Sequence, residues 1–562
     1  MANEFNNYFA NIASLLAQKI PNSRYSFKKY LNPPLYNSFG LIPTSSDEII
    51  NLSKTIHSTH SRGPDDIDPL IANSHISIIA TQLAEIINCS LNTGTVPQAI
   101  KIAKVVPIYK KGDKDNPINY RPIAILPFFS KFFEKVMYSR LSIFVEKSNI
   151  IFSSQHGFRA GHSPLLPLLT MHDKISNAFE KNEYSIGIFL DLAKAFDTVN
   201  HDILLHKLST YGIRGVQLDW FTSYFENRLQ YVTCNGAVSE LRTVKHGVPQ
   251  GSNLGPLLFL LFINDLPNVS DILSFILFAD DTNIFCSHSS YDALTQIINS
   301  ELTLVFDWFS ANMLSLNCDK TSFILFSSHR KMAPPRESLR LLLNDVPITQ
   351  VETTKFLGVY IDQHMTWNAH IKSITAKIAK NIGIMSRISH LLPVDIRLKL
   401  YHSLIYPYLT YCTMVWASTY NSRLSKLITL QKRALRVITK APYHRLHKLC
   451  SKDLFTELNL LNLHQIKTLQ IGTFMFGFTH KLLPSNFNDY FQRGSDIHTH
   501  YTRSSSNYRP ALALSNSRKF SAKHIGPSVW NKIPTEICQA TNLYMFKKML
   551  RTHLISNQTD LI

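Results

Sequence analysis

The stretch that most constrains this chain runs from Asp271 to Ser287, DILSFILFADDTNIFCS. An apolar run, Ile276 to Ala279, stops at two adjacent aspartates, Asp280 and Asp281, and a second apolar run begins at Ile284. The pattern predicts a hairpin of two largely buried strands with paired acids at its tip. Neighbouring carboxylates repel each other, so presenting both on a tight turn makes sense if a divalent cation holds them. A solvated acidic turn is the simpler alternative, and only the surrounding chain decides between them.

The 562 residues suggest three or four folding units. Hydrophobic residues make up 45% and aromatics 11%, enough for large cores. Lys and Arg exceed Asp and Glu by 58 to 39, a net charge of +19, which points to a polyanionic partner. No uninterrupted apolar stretch approaches the ~20 residues of a membrane span, and the start MANEFNNYFANIASLL lacks a secretory signal layout. Nucleic acid is therefore the expected partner, in the nucleus or cytoplasm, with no membrane. The seven cysteines are scattered, without a C-x-x-C, so neither a disulfide framework nor a structural zinc site is expected.

In chain order, Phe5, Phe9, Ile12 and Leu16 fall at helical spacing, and a second helix is expected after Ser45-Ser46-Asp47, within a helical lead-in over residues 1–60. SRGPDDIDPLI (61–71) reads as a turn before a helix with Ile76, Ile79, Leu83, Ile86 and Ile87 on its face. A strand from Lys104 to Tyr109 enters a basic loop and returns through NYRPI, so Lys110 and Arg121 flank a loop suited to gripping a triphosphate. A helix follows from Ser130 to about Lys147. In SQHGFRAGHS, Gly157 and Gly161 permit a ligand to approach the backbone and Arg159 is a candidate phosphate contact, ahead of a helix from Leu165. Ile186 to Leu190 reads as a buried strand that delivers Asp191 at its end; Phe196 is placed to wall a small-ligand pocket, and Asp202 to cap the next helix. YVTCNGAVSELRTV predicts a hairpin turning at Asn235-Gly236. VKHGVPQGSNLGPLLFLLFINDL is a glycine loop whose amides, at the start of an apolar helix from Leu254, suit phosphate or base contacts. A helix over 292–310 leads to LSLNCDKTSFILF, read as a strand pair carrying Lys320, and KFLGVYIDQHMTW reads as another hairpin. From about 370 basic helices dominate, with Lys372, Lys377, Lys380 and Arg387 on one face and Lys426, Lys432, Arg433 and Arg436 on another, suited to tracking a nucleic-acid backbone. Residues 498–519 read as a polar loop or tail. No internal repeats are visible.

Asp191 and the Asp280-Asp281 pair, brought together by neighbouring strands of one sheet, would hold two Mg²⁺ ions (Mn²⁺ as a substitute) about 3.5–4 Å apart. With the basic hairpin and the glycine loop, this is the layout of a template-directed polymerase. FLDLAKAFDTVNH, HGVPQGSNLGPLLFLLFINDL, FADD, NYRPI and QHGFR resemble, in order and spacing over residues 60 to 440, the motifs of reverse transcriptases of non-LTR, jockey-like retrotransposons. FNNYFANIA resembles the linker preceding the polymerase in those elements.

The resemblance implies an α+β right-hand polymerase with an antiparallel palm sheet. Fingers and palm would occupy 61–368, a helical thumb 369–440, and a mostly helical region with a polar tail 441–562. It implies an RNA-directed DNA polymerase that extends a DNA primer on an RNA template with dNTPs. Asp191, Asp280 and Asp281 match its metal ligands, Phe196 the ring that excludes a ribose 2′-hydroxyl, and Gln250 and Gly251 the nucleotide loop. Lys110 and Arg121 match triphosphate contacts, and Lys320 a general acid for pyrophosphate. Leu357 and Gly358 match the primer-gripping hairpin. An N-terminal or C-terminal endonuclease and a zinc knuckle, usual in such elements, are not visible, so a fragment or relic of an element is expected. The alternatives are a catalytically silent nucleic-acid-binding protein and a related polymerase, either an intron maturase or a viral RNA polymerase. Against a viral enzyme, Ala279 stands where such enzymes carry a glycine.

Overall fold

The computed structural model describes residues 1–56, 59–329, 331, 339–441, 451–496 and 505–557. The fold is mixed α/β: two five-stranded sheets and two short hairpins carry helices around them, and from residue 368 the named elements among the described residues are helices.

Helix α1 (Ala2–Ala17) is followed by α2 (Ser46–Ser53), whose first turn is closed by the Ser45 hydroxyl accepting from the Glu48 amide. Next come α3 (Pro69–Ser74) and α4 (Ile76–Thr93). On α4, Ile76, Leu83 and Ile87 are buried as expected, but Ile79 and Ile86 face solvent; Ala80 and Ala84 take inner positions on a helix that packs against α2 and the helix over Val216–Phe225.

The first sheet joins β1 (Ile102–Tyr109), β2 (Tyr120–Ile125), β4 (Leu229–Cys234), β5 (Ala237–Val238) and β6 (Arg242–Thr243). β1 pairs antiparallel with β2, opposing Ile108 to Arg121, and parallel with β4. The β4–β5 turn uses Asn235 and Gly236 at positive φ, as a two-residue hairpin turn requires. The lead-in helix α1 is part of this layer. Phe5 and Phe9 pack on Val105 and Val232, and Asn6 exchanges hydrogen bonds with Gln230 (Nε2 to Oδ1, 3.0 Å) and donates to the Glu240 carbonyl (2.7 Å).

Next in the chain after β2 come α5 (Ser130–Lys147) and α6 (Leu165–Glu180). The second sheet has the order β12-β9-β3-β8-β7, from β3 (Tyr184–Leu190), β7 (Ser274–Phe278), β8 (Asp281–His288), β9 (Ser322–Phe326) and β12 (Thr349–Gln350). It is antiparallel except for the β12–β9 edge, which is parallel. Its strands are near-continuously apolar because both faces are covered. Ile186, Ile188, Ile284 and Phe323 enter one core, and alternate residues Phe285, Ile324 and Phe326 enter the other. Gly187 makes room for the second set: a Cβ there would lie 2.7 Å from the Phe285 ring and 2.8 Å from that of Phe326.

The first core is filled by α7 (His201–Thr210), α8 (Val216–Phe225), α9 (Gly255–Ile263) and α10 (Tyr291–Ala311); α9, apolar on every side, is buried almost throughout. The cap of α7 is Asn200, whose side chain accepts from the Ile203 amide; Asp202 lies in the first turn instead. The expected strand pair around Lys320 is one strand, β9, preceded by a turn over 318–320, with Leu316 making a single bridge to Leu192. The turn forms because the Thr321 hydroxyl and amide both bond back to the Asn317 carbonyl (2.9 Å each).

Two hairpins follow, β10 (Leu342–Leu343) with β11 (Val346–Pro347), and β13 (Thr353–Phe356) with β14 (Val359–Asp362). Then come α11 (Asn368–Ile388), α12 (Val394–Leu404), α13 (Tyr406–Thr410), α14 (Thr413–Trp416), α15 (Asn421–Thr439), α16 (Ser451–Glu457) and α17 (Leu463–Thr479). The chain ends in α18 (Asn516–Lys519), α19 (Ala522–Trp530), α20 (Thr535–Cys538) and α21 (Leu543–Asn557). The expected polar tail begins outside the described residues, over 498–504; from 505 on it is packed, not free. Tyr508 is buried, and the Leu514 and Ser515 amides donate to the Glu180 carboxylate at the end of α6 (2.6 and 3.1 Å). No helix of the described residues is long and apolar enough to cross a membrane.

Candidate active site

Register brings the three aspartates together. Leu190, the last residue of β3, pairs with Thr282 of β8, so the next step along each strand sets Asp191 beside Asp281. Across the hairpin, Phe278 of β7 pairs with Asp281, leaving Ala279 and Asp280 as the turn. Ala279 adopts φ 57°, a left-handed conformation uncommon for a non-glycine residue, and the turn must be braced to hold it.

The brace is the 154–157 segment. The Leu277 amide donates to the Ser154 carbonyl (3.0 Å), the His156 amide to the Leu277 carbonyl (2.8 Å), and the Gln155 Oε1 accepts from the amides of Gly157 (2.8 Å) and Ala279 (3.0 Å). A Cβ on Gly157 would stand 2.2 Å from the Ala279 nitrogen. Gly157 therefore permits a close approach, but to the Asp280-Asp281 turn and not to a ligand. Arg159 is committed elsewhere as well. Its guanidinium pairs with Glu146 (3.2 Å) and donates to the Phe152 and Gln155 carbonyls, so it is a structural clamp and not an open phosphate contact.

Asp280 and Asp281 open to solvent, yet the protein around them makes their charge costly. Burial is the larger cause and the like charges of neighbouring carboxylates the next for Asp281, pushed up to about 6 by Asp280 and Asp191. Asp280 is raised too, by burial first, with Asp191 adding and Arg121 and Lys110 partly offsetting. Asp191 pairs with the Lys320 Nζ at 3.4 Å, and its carbonyl accepts from the Asn317 amide (2.8 Å). Among the described residues no three His, Cys, Asp or Glu side chains stand close enough to form a ready-made metal cage. The chemistry of the donors nonetheless fits a divalent cation, because hard carboxylate oxygens that repel one another are what such an ion draws together.

Facing the acids is a group of cations. Lys110 is held below its ordinary value by burial first, then by Arg121 and Lys320, with Asp191 opposing. Lys194 is also lowered, by burial first and, after the opposing charge of Asp197, by Lys110, Arg121 and Lys320. Four cations that repel one another beside an acid pair provide a place for a polyanion. Lys194 was missed by sequence reasoning, although its place three residues after Asp191 was the available signal; its Nζ donates to the Tyr120 carbonyl (3.1 Å).

Phe196 lies stacked on Phe259 (4.5 Å between ring centres, 26°) with Phe158 edge-on at 6.1 Å. The glycine loop is laced to the same segment: the Val248 amide donates to the Phe196 carbonyl (2.8 Å) and the Gly247 amide to that of Val199 (2.7 Å). The Gln250 carbonyl accepts from the Ala124 amide (2.9 Å), and Gly251, at φ 128°, passes so near β2 that a Cβ would meet the Ala124 oxygen at 2.5 Å. Two amides at the start of α9 are taken up within the protein. Asn253 donates to the buried Glu134 carboxylate (2.6 Å) and Gly255 to the Ser252 hydroxyl (3.0 Å).

The sequence that carries these residues matches a known family pattern. Residues 108–361 match the family described as reverse transcriptase (RNA-dependent DNA polymerase), a span that holds Lys110, Arg121, Asp191, Phe196, Gln250, the Asp280-Asp281 pair, Lys320 and the Leu357-Gly358 hairpin. That span is similar to a reverse transcriptase domain. Beyond that domain, the similarity extends to the probable RNA-directed DNA polymerase from transposon BS of Drosophila melanogaster, at 28% identity over 461 residues, 78% of this chain and 48% of that protein. It extends likewise to the RNA-directed DNA polymerase from mobile element jockey of the same organism (28%, 76% of this chain, 47% of that protein). The probable RNA-directed DNA polymerase from transposon X-element, also of Drosophila melanogaster, is 29% identical over 65% of this chain and 41% of its own length. The chain spans about half the length of the curated relatives it matches.

Two further expected contacts lie at and just beyond the end of the matched span. Leu357 and Gly358 form the β13–β14 turn at φ 45° and 83°, and the Tyr411 hydroxyl donates to the Leu357 carbonyl (2.7 Å), a support that sequence reasoning missed. Lys372, Lys377 and Lys380 are all exposed on α11, with the Lys377 ammonium over the Tyr408 ring at 5.6 Å.

Proposed function

We propose that the protein is an RNA-directed DNA polymerase that extends a DNA primer 3′-hydroxyl on an RNA template with dNTPs, in the retrotransposition of a jockey-like element. The observation that carries this reading is the Leu190–Thr282 register, which aligns Asp191 with Asp281 while four cations gather opposite.

In this reading β3, β7, β8 and β9 are the palm, the β1–β2 hairpin the fingers, and α11 to α15 the thumb. Asp191, Asp280 and Asp281 would hold two Mg²⁺ ions. When bound, such ions lower the pKa of the attacking hydroxyl and stabilise charge on the departing pyrophosphate. The protein's own groups do the rest. Lys110, Arg121 and Lys194 gather the triphosphate; Phe196, rigid against Phe259, packs where a 2′-hydroxyl would stand and so favours deoxynucleotides. Gln250 and Gly251 contact the incoming nucleotide, Lys320 gives a proton to the leaving pyrophosphate, and the Leu357-Gly358 turn supports the primer end. Lys372, Lys377 and Lys380 meet the duplex backbone.

Extension of oligo(dT) on poly(rA) tests this. The full chain is expected to incorporate dTTP, and Asp280→Ala and Asp281→Ala to incorporate none. Incorporation that survived either substitution would overturn the site assignment; RNA binding without any incorporation by the unaltered chain would favour the silent nucleic-acid-binding alternative.

A further inference from the structure

Behind the proposed nucleotide loop lies a small cavity of about 60 Å³, closed by Phe9 and Ala13 of α1 and lined by Asp197, Arg228, Gln230, His246 and Gln250 among others. Two of its charged groups are incompletely partnered: Asp197 Oδ2 and the Arg228 Nη2 have no hydrogen-bond partner. The other oxygen of Asp197 accepts from the Gln250 Nε2 at 2.8 Å. Because an ionised carboxylate has nothing to donate, it fixes which way the Gln250 amide turns: the NH₂ faces Asp197 and Oε1 is left on the other side.

The backbone around Asp197 is equally constrained. It follows directly on Phe196, whose carbonyl receives the Val248 amide (2.8 Å), and Gly247 packs so tightly that a Cβ would lie 2.6 Å from the Asp197 carbonyl oxygen. One residue thus touches both the segment carrying the aromatic wall and the amide of the nucleotide loop. A solvated or merely helix-capping aspartate would do neither.

From this geometry we infer that Asp197 is a positioning residue for deoxynucleotide selection, holding the Gln250 amide in the single orientation that the incoming nucleotide meets. The inference rests on the reverse transcriptase reading of the site. Burial pushes the Asp197 carboxyl up to about 6, with Gln250 and then Lys194 opposing, and Phe9, Ala10 and Ala13 of α1 line the cavity beside it. The α1 helix is therefore the lid over this support.

The test measures dNTP and rNTP binding to the full chain on an RNA template with a dideoxy-terminated primer, so that no chemistry is needed. Asp197→Ala is expected to weaken dTTP binding about tenfold or more, the range for losing a hydrogen bond to a charged group, and to narrow the dNTP/rNTP ratio. Gln250→Ala should do the same, and the double variant no more than either alone. Asp197→Asn, which keeps the volume and can still offer an oxygen to Gln250, should recover most of the affinity and guards against a folding defect. Unchanged dTTP binding in Asp197→Ala, or losses that multiply in the double variant, would overturn the inference. Absence of primer extension by the unaltered chain, with the binding pattern intact, would sink the polymerase reading and leave the Asp197–Gln250 coupling standing.

Discussion

Asp281 and Asp191 are neighbours because two short apolar strands pair in one register, and a slip of one residue would turn each strand's side chains to the opposite face. That makes the site's chemistry depend on single side chains at strand ends. Phe196 is the most accessible to test. With its ring braced by Phe259, Phe196→Ala is expected to raise rNTP incorporation relative to dNTP by about tenfold or more, in single-nucleotide extension kinetics; an unchanged ratio would remove its role as sugar gate. A second residue-scale prediction concerns Asp173, buried on α6 beside Tyr490 and pushed up from 3.8 to about 6, chiefly by burial, with Tyr490, Lys523 and Arg518 opposing. Between those pH values the folded state holds a proton that the unfolded state has lost, so this group makes stability fall as pH rises from about 4 to about 6. Asp173→Asn should therefore raise the melting temperature at pH 7.5, by an amount on the order of 1–3 kcal/mol in stability, and change it little at pH 4. A variant equally displaced at both pH values would refute the linkage. The three aspartates, Phe196 and Gln250 stood out in the sequence because they lie in motifs that resemble those of reverse transcriptases. Asp173 was not, because nothing local distinguishes a buried carboxylate from a solvated one on a helix.

At the scale of elements, the support of the acid turn comes from a segment that is neither helix nor regular strand. Residues 154–157 pair with β7, and Gln155 caps the turn with one side-chain oxygen. Gly157→Ala places a methyl group where only 2.2 Å is available from the Ala279 nitrogen, so backbone must move. The expected cost is about 1–3 kcal/mol in urea unfolding, with loss of primer extension beyond what the stability change explains. Wild-type activity in a stable Gly157→Ala protein would mean the brace is dispensable. Periodicity correctly predicted most helices and the Asp280-Asp281 hairpin. It failed for the turn before β9 and for the capping of α7, where a side chain bonding to a local amide outweighs pattern. The role of α1 was half legible: Phe5 and Phe9 announced an apolar face, but which sheet it covers depends on contacts more than two hundred residues away.

Over the whole molecule, a net charge of +19 and the exposed Lys372, Lys377 and Lys380 on α11 predict salt-sensitive binding to a primer–template. Replacing all three by Ala should reduce the slope of log affinity against log salt by roughly two to three, whatever the template sequence; an unchanged slope would place the duplex on another face. Composition announced the polyanion, but not where 58 basic residues are distributed. Mn²⁺ binding tests whether Asp191, Asp280 and Asp281, aligned by the β3–β8 register, hold metal ions as one set. Electron paramagnetic resonance would follow Mn²⁺ uptake by the chain bound to a dideoxy-terminated primer–template and dTTP. Asp191→Asn, Asp280→Asn and Asp281→Asn should each weaken uptake. Full Mn²⁺ binding by Asp191→Asn, with loss in the other two, would contradict a shared site.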